Sequence, residues 1–487
     1  MIEKKHAHFT LLLLLFTLSA SGCLKVDKPN LPRIFPPQQT QRLTGKNPVI
    51  LIPGILGSRL INQRTGEQVW PSLFVTDDDT LAIPISAPTL AENKDEIVAT
   101  EVLETLRLSR LIPEISVYDS MLLALERYGG YRRASFDAPP DDGDHDTFYV
   151  FAYDWRRDNV ESARQLARKI AALKERLKRP DLRFDIVAHS MGGLVARYYA
   201  MYGDRDPLES NAPVPDWSGA QHLSRLVMMG TPNAGLMDAL HSLLRGYSVT
   251  DTNGPRIKLL RNLDRDVTFT APSVYQLLPP DSHARFLDAE LSPINLDLFD
   301  IETWRRFGWS IAFDPELRGS EQRSLVKRHG AMEGATVANR LALEREQFLR
   351  LALARAAAFH RAIDAPSALP DSLRIHLFGG DCEPTLDAAM IATIKGQQQT
   401  LFRSGQAPGG RKARRRAFEA MFAPGDGRVT RRSLFDLSLE PETDGQMDRA
   451  LKPRPLHATF NCELHGDLPL NLTLQNNLLT VLLGNRY

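Results

Sequence analysis

Ser190 stands where a short apolar run, Phe184-Asp185-Ile186-Val187-Ala188-His189, gives way to Met191-Gly192-Gly193. A helical pattern with Leu194, Val195, Tyr198 and Tyr199 follows. Strand, serine, helix is the order of a nucleophile elbow, a tight turn that lifts a hydroxyl clear of a sheet's carboxyl end. Such a turn needs small neighbours, which Gly192 and Gly193 supply. Ala188 occupies the place where the usual G-x-S-x-G pattern has its first glycine, and alanine is the smallest replacement. A serine hydroxyl is inert near neutral pH unless a positioned base takes its proton. Histidine suits that work because its pKa lies near working pH, and an acid must orient the imidazole. Gly425-Asp426-Gly427-Arg428-Val429 and Leu464-His465-Gly466 follow the serine, in the chain order Ser…Asp…His. Of 12 histidines, His465 is the one that follows the last predicted strand and precedes the terminal helix. His457 falls at that strand's start, and His189 is locked beside the elbow. Asp381, directly after a predicted strand, competes with Asp426 for the role of acid.

These groups need a scaffold. Asn47 to Ser58 reads as a buried strand at 49–52 ending in a glycine-bearing loop. That loop offers the backbone N–H of Ile55, and the elbow offers that of Met191, as a pair of oxyanion donors. Further strands are expected at 147–153, 184–187, 226–229, 374–378 and 458–464. Helices are expected at 117–128 and 161–178, the second with Leu166, Ile170, Leu173 and Leu177 on one face and Pro180 beyond its end. Alternating strands and helices predict an α/β class with a mostly parallel sheet flanked by helices. Residues 62–146 are polar, acidic and broken by proline, and read as a lid-like insertion. Residues 236–370 show helical patterns and no core strand, including a long helix at 336–363, and read as a largely helical cap. Its apolar residues, Trp304 and Trp309 among them, line an acyl pocket or form the cap's own core.

Ile52-Pro53-Gly54-Ile55-Leu56-Gly57-Ser58, Tyr153-Asp154-Trp155-Arg156 and Ala188-His189-Ser190-Met191-Gly192-Gly193 resemble, in this order, motifs of the lecithin:cholesterol acyltransferase family. That family includes lysosomal phospholipases, and the resemblance runs from about Pro48 to the C-terminus. It implies an α/β-hydrolase fold with a helical cap and no cofactor. Chemistry would pass through an acyl-enzyme at Ser190, and the acyl group of a lipid carboxylic ester would go to water or to an alcohol. It also implies an acid within a Gly-Asp-Gly-x-Val element, which selects Asp426 over Asp381. Tyr153, Asp154 and Trp155 would shape the pocket or hold a loop. The competing class is a non-catalytic envelope lipoprotein that keeps the scaffold for binding. Such a relative should have lost one of Ser190, Asp426 or His465, and all are present.

The 487 residues carry a net charge of +1 with 24% charged residues, which excludes a globally basic nucleic-acid binder. The basic run Arg411-Lys412-Ala413-Arg414-Arg415-Arg416 reads as a local solvated loop, with anionic-lipid contact as the sharper alternative. Lys4 and Lys5 precede an apolar run from Phe9 to Ala20, the make-up of a signal peptide over 1–22. Ala20-Ser21-Gly22-Cys23 resembles a lipobox, so Cys23 is the expected lipidation site and 23–46 a tether. This predicts a periplasm-facing lipoprotein of the cell envelope, with the outer membrane favoured by Leu24. Cys382 and Cys462 lie beside strands that pair in the usual hydrolase sheet, and in an oxidising compartment they are a candidate disulfide. Asp77-Asp78-Asp79 and Asp141-Asp142-Gly143-Asp144-His145-Asp146 lack the spacing of a calcium loop, and no metal site is expected.

Overall fold

The apolar runs assemble into one sheet. The structure is a computed structural model, and it describes residues 28–72, 81–106, 115–140, 146–247, 263–280, 282–436 and 455–484. The signal peptide, Cys23 and the Asp77–Asp79 cluster lie outside these residues, as do residues 141–145 of the second acidic cluster. In chain order the strands are β1 (Val49–Ile52), β2 (Arg132–Ala134), β3 (Thr147–Val150) and β4 (Phe184–His189). β5 (Leu223–Met229), β6 (Arg374–Gly380) and β7 (His457–Asn461) follow. Their spatial order is β7-β6-β5-β4-β1-β3-β2, and every neighbouring pair is parallel. The protein therefore has the parallel α/β architecture that its strand–helix alternation predicts, in the α/β-hydrolase form that the family resemblance implies.

A parallel sheet is covered on both faces, so its central strands are mainly apolar. In β1, Val-Ile-Leu-Ile, all residues are buried. Alternation sends Ile50 and Ile52 to one face, where Leu166 and Ile170 of helix α2 (Asn159–Arg176) and Leu194 of the elbow helix join them. Val49 and Leu51 face the other way, towards Leu122 and Leu125 of α1 (Asp119–Arg127), and share a cluster with Leu478 and Leu482 near the C-terminus. Each such side chain contributes roughly 1.5–3 kcal/mol on burial. Asp158 caps α2 by accepting from Val160 N–H at 2.8 Å, and Lys174 and Arg176 complement its carboxyl end.

Between β5 and β6 the described residues are mainly helical, from Met237–Arg245 to the 33-residue helix Ala331–Ile363. None of their strands joins the main sheet. Three expectations need correction. The segment expected as a tether over 23–46 packs onto the domain where it is described: Leu31 and Phe35, one helical turn apart, are buried with Leu122 and Tyr131. The buried Lys46 Nζ there donates to the carbonyls of Gly129 (3.1 Å) and Gly130 (2.7 Å). The insertion expected over 62–146 is shorter, because α1 covers the sheet and β2 is its edge strand. The basic run is no loop. It opens an amphipathic helix, Arg411–Met421, within a small module between β6 and β7.

Candidate active site

The carboxyl ends of the strands bring three distant residues together. Ser190 sits between β4 and the elbow helix α3 (Met191–Tyr202) at φ +54°, a conformation that L-residues rarely hold outside strained functional turns. Its N–H donates to Met229 O at 2.7 Å, which fixes the turn against β5. Ala188 is fully buried and in register with Ile52 and Met228. The place of the missing glycine is thus an ordinary strand position.

His465 follows β7, and its Nε2 lies 2.8 Å from Ser190 Oγ. Its Nδ1 lies 2.8 Å from Asp426 Oδ2. A carboxylate only accepts, so Nδ1 carries the proton and Nε2 is left to accept from the serine hydroxyl. The second oxygen of Asp426 accepts from the N–H groups of Arg428 (3.0 Å) and Val429 (2.7 Å), so the carboxylate cannot swing away. His465 N–H also donates to Asp426 O at 2.8 Å. Asp381 takes no part. It is 4.0 Å from Arg431 Nη1, with its side chain 34% exposed.

Gly54 packs against the serine so closely that a Cβ there would stand 2.7 Å from Ser190 Cβ. Only glycine lets the Ile55 loop approach this near. Neither the Ile55 nor the Met191 N–H has a protein acceptor among the described residues, so both amides are free to serve an oxyanion.

A second chain of hydrogen bonds, not foreseen from the sequence, runs beneath the first. Gly54 N–H donates to Tyr118 Oη (2.9 Å), and Tyr118 O–H donates to His189 Nδ1 (2.8 Å). His189 Nε2–H donates to His465 O (3.0 Å). Burial, and next the nearby His465, push His189 down to about 3, so it stays neutral and keeps this polarity. The Gly54–Ile55 loop, the elbow and the loop of His465 are thereby tied to one another. Tyr153, expected near the site, donates to Pro53 O at 3.0 Å and steadies the same loop. Arg156 is fully buried and forks onto Asp154 and Asp95, each at 2.7 Å. The Tyr-Asp-Trp-Arg element is thus largely a structural knot, with Trp155 reaching the cavity.

That cavity, of about 270 Å³, lies over Ser190 and His465 and is lined chiefly by apolar groups such as Leu56, Trp70, Val267 and Leu277. Arg428 and Asp238 form an ion pair on its wall. Trp304 and Trp309 are not in this lining; they stack edge-to-face 5.6 Å apart as part of the cap's core. Cys382 and Cys462 form a disulfide. They and Glu383 are the one group among the described residues close enough to hold a metal, and the bonded sulfurs are unavailable as ligands. No helix among the described residues is long and apolar enough to cross a membrane.

The family model for lecithin:cholesterol acyltransferase matches residues 115–300. Over that segment the chain is similar to lecithin:cholesterol acyltransferases. The segment holds Tyr118, the Tyr153–Arg156 element and Ser190. A chain in the crystal structure of the Tle4–Tli4 complex matches 90% of this protein and 98% of its own length, at a TM-score of 0.50 and 14% identity. At that identity the likeness is one of fold. No curated protein sequence matches the chain.

Proposed function

We propose that this lecithin:cholesterol acyltransferase-like protein is a serine acyl hydrolase or acyltransferase of lipid carboxylic esters. The observation that carries the proposal is the continuous Ser190–His465–Asp426 hydrogen-bond chain on the floor of an apolar cavity. In this reading Ser190 Oγ attacks the ester carbonyl while His465 Nε2 takes its proton. The N–H groups of Ile55 and Met191 stabilise the tetrahedral oxyanion. Collapse expels the alcohol, which takes the proton from His465, and leaves the acyl group on Ser190. Water or an acceptor alcohol, deprotonated by His465, then attacks the acyl-enzyme and regenerates the serine. Asp426 holds the imidazole tautomer and stabilises the imidazolium. The apolar wall suits an acyl chain, since burying a methylene stabilises by about 0.8 kcal/mol. The N-terminal pattern ending in Cys23 supports export as a lipoprotein of the cell envelope.

The test compares ester hydrolysis by the intact chain and by Ser190→Ala. Turnover should fall by roughly 10⁴-fold or more, and a fluorophosphonate probe should label Ser190 alone. A folded Ser190→Ala protein with full activity would overturn the assignment.

A further inference from the structure

We propose that the arginine-rich helix Arg411–Met421, here α6 after α4 (Met237–Arg245) and α5 (Ala331–Ile363), is a docking surface for bilayers containing anionic phospholipid. Its inner face is anchored: Ala417 and Met421 are buried with Leu287, Met390 and Leu401. At about 100° per residue the other positions fan over the outer arc. Arg411, Lys412, Arg415 and Arg416 lie well out on it, Arg414 lies at its edge beside the anchored face, and all five are exposed. Glu419 is the one acid on the helix, and it pairs with Arg415 at 2.9 Å. Arg411, Lys412, Arg414 and Arg416 have no ion-pair partner among the described residues.

Charge complementarity selects an anionic partner, and the other features select a lipid surface. The chain's net charge is +1, so this is a local patch rather than part of a polycationic surface. Phe418, 42% exposed, stands on the same arc with its ring stacked 5.0 Å from that of Phe422. Cations flanking an exposed aromatic are the composition of an interfacial helix. The placement also fits. Strand Glu383–Leu386 leaves β6 at its carboxyl end and pairs with Phe422–Gly425. The latter strand joins α6 at one end and delivers Asp426 at the other, roughly 13 Å away for four residues. The basic helix is therefore built onto the element that holds the catalytic acid. Docking stands on this geometry; that the same bilayer supplies substrate rests on the acyl-hydrolase reading.

The experiment measures co-sedimentation of the full chain with vesicles of phosphatidylcholine, with and without phosphatidylglycerol. Every protein carries Cys23→Ser, so that no acyl chain contributes. A basic residue beside an anionic surface adds about fivefold to partitioning. Arg411→Gln/Arg414→Gln/Arg416→Gln should therefore weaken phosphatidylglycerol-dependent binding by roughly 100-fold. The matching Arg→Lys triple variant should retain it, and added salt should weaken it in the parent. Turnover of a dissolved short-chain ester should stay unchanged in the Gln variant, which shows that the fold is intact. Loss of that turnover from every protein would count against the acyl-hydrolase reading while leaving docking standing. Binding by the parent that ignores phosphatidylglycerol, or that survives in the Gln variant, would overturn the proposal.

Discussion

Tyr118→Phe removes one oxygen and keeps the ring, and it cuts the second hydrogen-bond chain at its centre. Gly54 N–H loses its acceptor and His189 Nδ1 its donor, both in buried surroundings. Each unpaired buried group costs about 1–3 kcal/mol, so stability should fall by roughly 2–6 kcal/mol before any relaxation. The catalytic effect follows from position. Gly54 precedes Ile55, whose amide faces the oxyanion in the proposed mechanism, and losing such a donor costs roughly 100- to 1,000-fold in rate. The variant loosens that donor without deleting it, so kcat should drop by roughly 10- to 100-fold, with KM little changed. Steady-state kinetics on a short-chain ester, run beside urea unfolding, reads both quantities. A Tyr118→Phe protein that is folded under assay conditions and keeps the parent kcat would refute the idea that this chain positions the oxyanion loop.

Asp426→Asn should lower kcat by roughly 10⁴-fold by upsetting the imidazole tautomer, whereas Asp381→Asn should leave turnover unchanged; kinetics on the two purified variants decides. Stability should fall in mild acid. Burial holds His189 at about 3 and His360 and His376 at about 4, against 6.5 for the ordinary side chain. Below about pH 6.5 the unfolded imidazoles bind protons that the native ones refuse, so stability drains away until about pH 4 for His360 and His376 and about pH 3 for His189. At pH 5 that is about 2 kcal/mol per group and roughly 6 kcal/mol together, and an unchanged urea midpoint between pH 7 and pH 5 would contradict it.

The parts legible in the sequence were those whose signal is local. Val49–Ile52 and Phe184–Val187 read as buried strands because the side chains of a covered parallel sheet are mostly apolar, the buried Asp185, paired with Arg225, being the exception. The Ser190 turn reads through its glycines. His465 reads through its place after the last strand, and Asp426 through a resemblance, since Asp381 fits the bare strand rule as well. Tyr118 was missed because its work is set by residues 64 and 71 positions away, and an isolated tyrosine near a helix start carries no pattern. The Leu31 and Phe35 pair did carry one, a spacing of one helical turn, but proline and polar neighbours masked it. Arg411–Arg416 was read by charge alone; the apolar Ala417 and Met421 that seat the helix lie just beyond the run. The strands of its small module join one another or Phe286–Leu287 rather than the main sheet, a pairing between distant segments that no local pattern shows.

The disulfide between Cys382 and Cys462 closes a ring between residues 80 positions apart. Asp426 lies inside that ring and His465 three residues past its closure. A backbone cut anywhere between Glu383 and Asn461 would therefore leave a single covalent molecule, with acid and base still fastened to the same cystine. In an environment where proteases circulate, nicking this region would change the band pattern on a reducing gel before it changed the chemistry.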